Sequence, residues 1–403
     1  MASVAAMTRA SLALMLAAVV VATTAAVPAA AKVRTGPAGD AFYKPPSPLP
    51  SGKHGTPIWA RGVTNGAKLT SASSNRVVLY RSTGVDGKPV AVSGLVSIPK
   101  GKTPKGGWPV VTWAHGTSGI ADECAPSRDT ASNPAHLFNS YIYPLLNSWL
   151  KRGYAVVRTD YEGLGTPGDH PYLIGDSEGR SVLDMVRAAR TADPRISKRV
   201  VIAGHSQGGQ AALFAARLAP SFTPELQIRG TIAFAPVSHL SEQIPIARSI
   251  KDPSPITAFG VMIARGLQLA QPSLNVPSLL GDRTAPLFHF ASERCLGQLL
   301  ADDAFGKVSP SEIFRSDIDF GPITRALDKL DDAENLKIRT PLRIEQGTAD
   351  TTVLPIFTGQ LASDLSQRGT KLVYRTYNGV DHGGIVTKAA KDSTAWLRTR
   401  LRR

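Results

Sequence analysis

The chain has 403 residues, 42% of them hydrophobic, which is enough to bury a large core. Gly and Pro recur without a repeat period, so the composition is that of a globular protein and excludes a fibrous or disordered one. The formal net charge is +15, yet the basic residues are scattered apart from a modest cluster at Arg398, Arg400, Arg402 and Arg403. No nucleic-acid motif surrounds that cluster, and no nucleic-acid partner is expected. A solvated basic surface is the plain reading, and transient contact with an acidic envelope or lipid surface is the sharper one.

Residues 1–31 read as a signal peptide. Arg9 supplies a positive charge, residues 11–21 are apolar, and small residues lead to Ala29-Ala30-Ala31, which fits an A-x-A cleavage site. The competing reading is a membrane anchor, but the run is short against the roughly twenty apolar residues a spanning helix needs. The mature protein is therefore expected to be exported. Cysteine usage agrees: Cys124 and Cys295 are the only two, and an even pair in an exported protein can bridge. Two buried free thiols are the alternative, and cysteines so far apart do not make a zinc site.

Residues 32–72 are rich in Pro, Gly and Ser and read as an N-terminal arm on the surface. Two β-rich runs follow at 76–81 and 90–98. A strand-then-helix alternation begins after them. Strands are expected at 109–114, 154–159, 199–203 and 228–235, and helices at 137–150, 179–191 and 207–218. Such alternation implies right-handed βαβ crossovers and a mostly parallel sheet with helices on both faces. The alternation stops between 238 and 333, where Pro-punctuated helical pieces such as 256–270 carry many apolar residues. That length exceeds a normal crossover and reads as a helical cap inserted into the core. Apolar side chains from roughly Phe259 to Leu280, Met262 and Leu267 among them, are expected to face the site. The sheet pattern resumes at 342–346 and 371–377, and a helix over 385–401 closes the chain. The domain plan is thus a core of 73–237 and 334–403 with a cap of 238–333.

The strongest local signal is Gly204-His205-Ser206-Gln207-Gly208, set between a strand and a helix. A nucleophilic serine on a strained turn projects above the sheet edge, and glycines on either side avoid collisions with the neighbouring strand and helix. The first helical amide, on Gln207, then points at a developing oxyanion, and the helix dipole favours negative charge there. His205 is expected to pack or hydrogen-bond locally. A serine needs a base, and the base an orienting acid, in the chain order Ser, acid, His. Asp350 follows a strand and a Gly turn, and His382 lies in a loop before the last helix. Asp381 is the rival acid, but adjoining side chains seldom meet with the geometry that orients an imidazole. The loop His115-Gly116-Thr117 after the 109–114 strand supplies the second oxyanion donor, read as the Thr117 amide. Asp160 and Glu162 open at the same sheet edge and are expected to cap backbone amides. No metal site and no cofactor are implied.

Together, several segments resemble the secretory lipase family: Asp40-Ala-Phe-Tyr-Lys-Pro-Pro46, His115-Gly-Thr with Cys124-Ala-Pro-Ser127, Asp160-Tyr-Glu-Gly-Leu-Gly165 with residues 181–188, and the elbow 204–208. The resemblance covers nearly the whole chain after the leader. It implies a capped α/β-hydrolase fold acting on carboxylic esters, often acylglycerols. It carries the triad onto Ser206, Asp350 and His382, the oxyanion donors onto Thr117 and Gln207, and supports a Cys124–Cys295 bridge. The expected reaction is ester hydrolysis through an acyl-enzyme, with an ester bearing an apolar acyl group as substrate. A peptidase or amidase, and an acyltransferase, would use the same triad.

Overall fold

Residues 33–402 are described by the structure, a computed structural model. The leader expected at 1–31 lies outside the described residues. Nine strands form one sheet: β1 (Pro57–Gly62), β2 (Ala72–Thr83), β3 (Pro89–Pro99), β4 (Trp108–Ala114), β5 (Ala155–Thr159), β6 (Ile196–His205), β7 (Gln227–Phe234), β8 (Leu342–Gly347) and β9 (Leu372–Tyr377). Their spatial order is β1-β2-β3-β5-β4-β6-β7-β8-β9. Pairing is antiparallel from β1 to β5 and parallel from β5 through β4, β6, β7 and β8 to β9.

Helices α1 (His136–Ser140), α2 (Tyr143–Lys151), α3 (Gly175–Ala192) and α4 (Gln207–Phe222) belong to the first part of the core. Helices α5 (Leu240–Ser249), α6 (Ile256–Ala270), α7 (Phe290–Glu293), α8 (Leu296–Leu299) and α9 (Gly321–Leu330) lie between β7 and β8. Helices α10 (Pro355–Gln367), α11 (Gly384–Lys388) and α12 (Ala390–Arg400) complete the core.

Strand β4 is buried along its whole length, as a strand covered on both faces must be. Its period of two sends Val110 and Ala114 to one face, among Val182 and Met185 of α3 and Leu213 of α4. Val111 and Trp113 go to the other face, among Leu146 and Trp149 of α2 and Trp396 of α12. This is the α/β-hydrolase arrangement expected from the sequence, with helices on both faces and an insertion between β7 and β8.

Three local differences have plain causes. The 32–72 segment does not lie wholly on the surface: it supplies β1, and Phe42, Tyr43 and Ile58 are buried with Val77 and Leu79 of β2. Burial alternates over only a few residues there, too short a run to stand out among Pro and Gly. The helix expected over 137–150 is two, because Pro144 lacks an amide hydrogen and stands in the first turn of α2. The final helix likewise breaks at Ala389 into α11 and α12.

The insertion has its own apolar cluster, built from Val261, Met262, Leu280, Leu299, Phe305 and Ile323, and Ile120, Tyr172 and Leu173 from core loops join it. It therefore rests on the loops at the carboxyl ends of β4 and β5. The Cys124–Cys295 disulfide ties it down further. Beside that bridge, Leu296 donates its amide to the Ser118 carbonyl at 2.9 Å. Among the described residues no helix is long and apolar enough to cross a membrane.

Candidate active site

Ser206 sits between β6 and α4 with φ 60° and ψ −122°, a left-handed conformation costly for a residue with a side chain. Its neighbours hold it there. The Ser206 amide donates to the Phe234 carbonyl at 2.9 Å, and the Ser206 carbonyl accepts from the Gly209 amide at 2.8 Å. The flanking glycines are required by close approach: a Cβ on Gly204 would overlap the Gly208 carbonyl, and one on Gly208 would overlap the Ala114 carbonyl. Gln207 opens α4, so its amide has no acceptor within the helix. Ala114 and Gly204 are register partners on β4 and β6. The His115-Gly-Thr117 loop and the serine turn therefore leave the same edge of adjacent strands.

His382 Nδ1 lies 2.7 Å from Asp350 Oδ2. A carboxylate only accepts, so Nδ1 carries the hydrogen and Nε2 is left free to take a proton. Asp350 is buried and over-determined: Oδ1 accepts the Thr352 and Val353 amides, both at 2.9 Å, and Oδ2 also accepts from Gln346 Nε2 at 3.1 Å. Asp381 does other work. It is exposed, and its Oδ1 accepts the Gly384 amide at 2.7 Å at the start of α11.

Thr117 is buried, and its hydroxyl lies 2.7 Å from the Tyr172 hydroxyl. The Gln207 side chain turns away from the turn and donates from Nε2 to Glu178 Oε1 at 2.7 Å and to His170 Nε2 at 2.8 Å. Asp160 accepts the Ser127 amide at 3.0 Å and the Ser93 hydroxyl at 2.6 Å, and Glu162 accepts the Val85 amide at 2.9 Å. Both acids thus brace loops, as expected. His115 is buried beside this loop, and burial pulls its pKa down to about 4. Two contributors were not legible locally. Tyr141 reaches His205 at 2.5 Å, and Tyr172 reaches Thr117 from the loop after β5. Only the position of that loop, at a carboxyl strand end, hinted at Tyr172.

Above Ser206 lies a cavity of about 360 Å³. Its walls are mostly apolar, with Phe259, Ile263 and Leu267 from α6, Leu240 and Ile244 from α5, and Ile313. Met262 is not among them. It is wholly buried in the insertion's own cluster. Val276 and Leu280 are buried in that cluster too, so only one stripe of the expected apolar stretch meets the site.

A serine elbow on a mostly parallel sheet, with a His–Asp pair at the same edge, is the arrangement of an α/β-hydrolase. The fold matches the crystal structure of Candida antarctica lipase A in its closed state, with TM-score 0.72 and 21% identity, covering 88% of this chain and 86% of that one. Lipase A of Moesziomyces aphidis is 29% identical over 276 residues, 63% of this chain and 56% of that protein, so the match spans little more than half its length. Lipase A of Arthroderma benhamiae is 25% identical over 401 residues, 94% of this chain and 82% of that protein. Residues 139–403 match the sequence profile of the secretory lipase family. The chain belongs to that family.

Proposed function

We propose that this protein is an exported lipase or esterase that hydrolyses carboxylic esters of apolar acyl groups through an acyl-enzyme on Ser206. The observation that carries the reading is the His382–Asp350 hydrogen bond at the same sheet edge as the strained Ser206 turn, under an apolar cavity that Ser206 itself lines. In this reading His382 Nε2 takes the Ser206 proton as Oγ attacks the ester carbonyl. Asp350 holds the tautomer and supports the imidazolium. The Thr117 and Gln207 amides, with the N-terminus of α4, stabilise the tetrahedral oxyanion. His382 then protonates the departing alcohol. Water, deprotonated by His382, releases the acid. No cofactor takes part in these steps.

The acyl chain would lie along Phe259, Ile263 and Leu267. Each buried methylene contributes about 0.8 kcal/mol, so selectivity rises up to about fourfold per carbon until the cavity fills. The disulfide fits an oxidising destination, and the insertion acts as the cap over the site. A fluorophosphonate should label Ser206 in the parent and nothing in Ser206→Ala, and the variant should lose at least about a thousandfold in p-nitrophenyl ester turnover. Labelling elsewhere, or substantial turnover by Ser206→Ala, would overturn the proposal.

A further inference from the structure

We infer that His205, held in a single tautomer by Tyr141, is a positioning residue that fixes the base His382 through its main-chain carbonyl. This rests on the reading of His382 as the base. His205 Nε2 lies 2.9 Å from the His382 carbonyl oxygen. A carbonyl only accepts, so Nε2 carries the hydrogen. The ring is buried, and burial holds its pKa well below the ordinary imidazole value. The neutral ring therefore has a bare Nδ1. The Tyr141 hydroxyl, 2.5 Å away, must donate to it. Burial pushes the Tyr141 pKa up, so the phenol keeps its proton. The relay is fully determined: Tyr141 O–H to His205 Nδ1, and His205 Nε2–H to the His382 carbonyl.

The position of this relay gives it consequence. His205 is the last residue of β6, directly before Ser206, so its main chain forms the serine turn while its side chain grips the histidine loop. The His205 and His382 rings stand 4.6 Å apart. Gly116 of the oxyanion loop closes on the same pair: a Cβ there would lie 3.2 Å from the His205 carbonyl and 3.3 Å from the Tyr141 hydroxyl. His205 thus joins the serine turn and the oxyanion loop through its main chain to the histidine loop through its imidazole. Small misplacements of reacting groups are expensive, with about 1 Å costing on the order of a hundredfold in rate.

The test uses the full chain with His205→Leu, His205→Gln and Tyr141→Phe, read by kcat and KM on p-nitrophenyl acetate and by melting temperature. His205→Leu removes the donor and should lower kcat by about ten- to a hundredfold with KM within about twofold. His205→Gln places an amide donor near Nε2 and should restore kcat to within about threefold of the parent. Tyr141→Phe frees the tautomer and should lower kcat by about three- to tenfold. A folded His205→Leu with parental kcat, or His205→Gln no better than His205→Leu, overturns the inference. If His205→Leu does not fold, Tyr141→Phe decides: parental kcat there overturns it. These failures are distinct from failure of the hydrolase reading, which would appear as Ser206→Ala retaining turnover whatever the His205 variants do.

Discussion

Replacing Asp350 with Asn should reverse the polarity of the group facing His382 while leaving its shape nearly unchanged. The geometry dictates which way the new amide turns. Oδ1 already accepts two backbone amides, from Thr352 and Val353. The Asn oxygen must stay there, because two N–H groups cannot face an NH2. The NH2 therefore takes the Oδ2 position, 2.7 Å from His382 Nδ1. It can only donate, so Nδ1 becomes the acceptor and the ring hydrogen moves to Nε2. His382 can no longer take the serine proton. Gln346 Nε2 loses one acceptor but keeps the Gly347 and Val353 carbonyls, both at 3.1 Å, so the fold should survive. A reversed imidazole tautomer in such a triad lowers turnover by about 10⁴, or about 5.5 kcal/mol of barrier. Asp381→Asn retains an oxygen to cap Gly384 and should change kcat by less than about threefold. Steady-state turnover of p-nitrophenyl esters at pH 8, with melting curves for both variants, measures this. Asp350→Asn within about tenfold of the parent, or Asp381→Asn more damaging than Asp350→Asn, would refute the assignment of the acid.

Three further outcomes are expected. Ile263→Asp should lower the octanoate-to-acetate selectivity by about tenfold or more, because it puts a carboxylate in the acyl path; Met262→Asp should depress the melting temperature without changing that ratio, and the same ratio change in both would show that the α6 stripe is misassigned. Removing the disulfide with Cys124→Ser and Cys295→Ser should cost about 2–5 kcal/mol of unfolding free energy, measured by urea titration, and an unmoved midpoint would count against it. His115 titrates near 6.5 unfolded and at about 4 folded, so the unfolded chain binds the proton first. Its contribution is complete above pH 6.5 and is lost as pH falls towards 4, to at most about 3 kcal/mol. His115→Gln should flatten that part of the stability–pH curve relative to the parent, and identical curves would exclude the buried neutral imidazole.

The fold was legible where physics acts over a few residues. The largely apolar runs at 109–114 and 199–203 announce burial on both faces, and helices between them imply parallel crossovers. The serine turn was legible for the same reason, since two glycines and a strand–helix junction are local requirements met within five residues. Chain order then singled out His382, and placed Asp350 ahead of its neighbour Asp381. In the structure His382 Nδ1 meets Asp350 across 32 residues of sequence.

Other features were set only by the tertiary structure. Tyr141 meets His205 across 64 residues and His205 meets His382 across 177. No spacing rule links such positions, because the sheet order and not the chain brings β6 and the loop after β9 to one edge. The same holds for the insertion. Composition showed that 256–270 is an apolar helix, but an apolar helix with two buried sides does not say which side is cavity wall and which is core. Packing decided that Phe259, Ile263 and Leu267 meet the site while Met262 turns inward. Sequence by itself determined the periodicities and turn chemistry of each element. The directions of side chains across elements depended on closing all of those elements around a single sheet, since a hydrogen bond or an apolar contact needs a partner at a distance that only the folded chain defines.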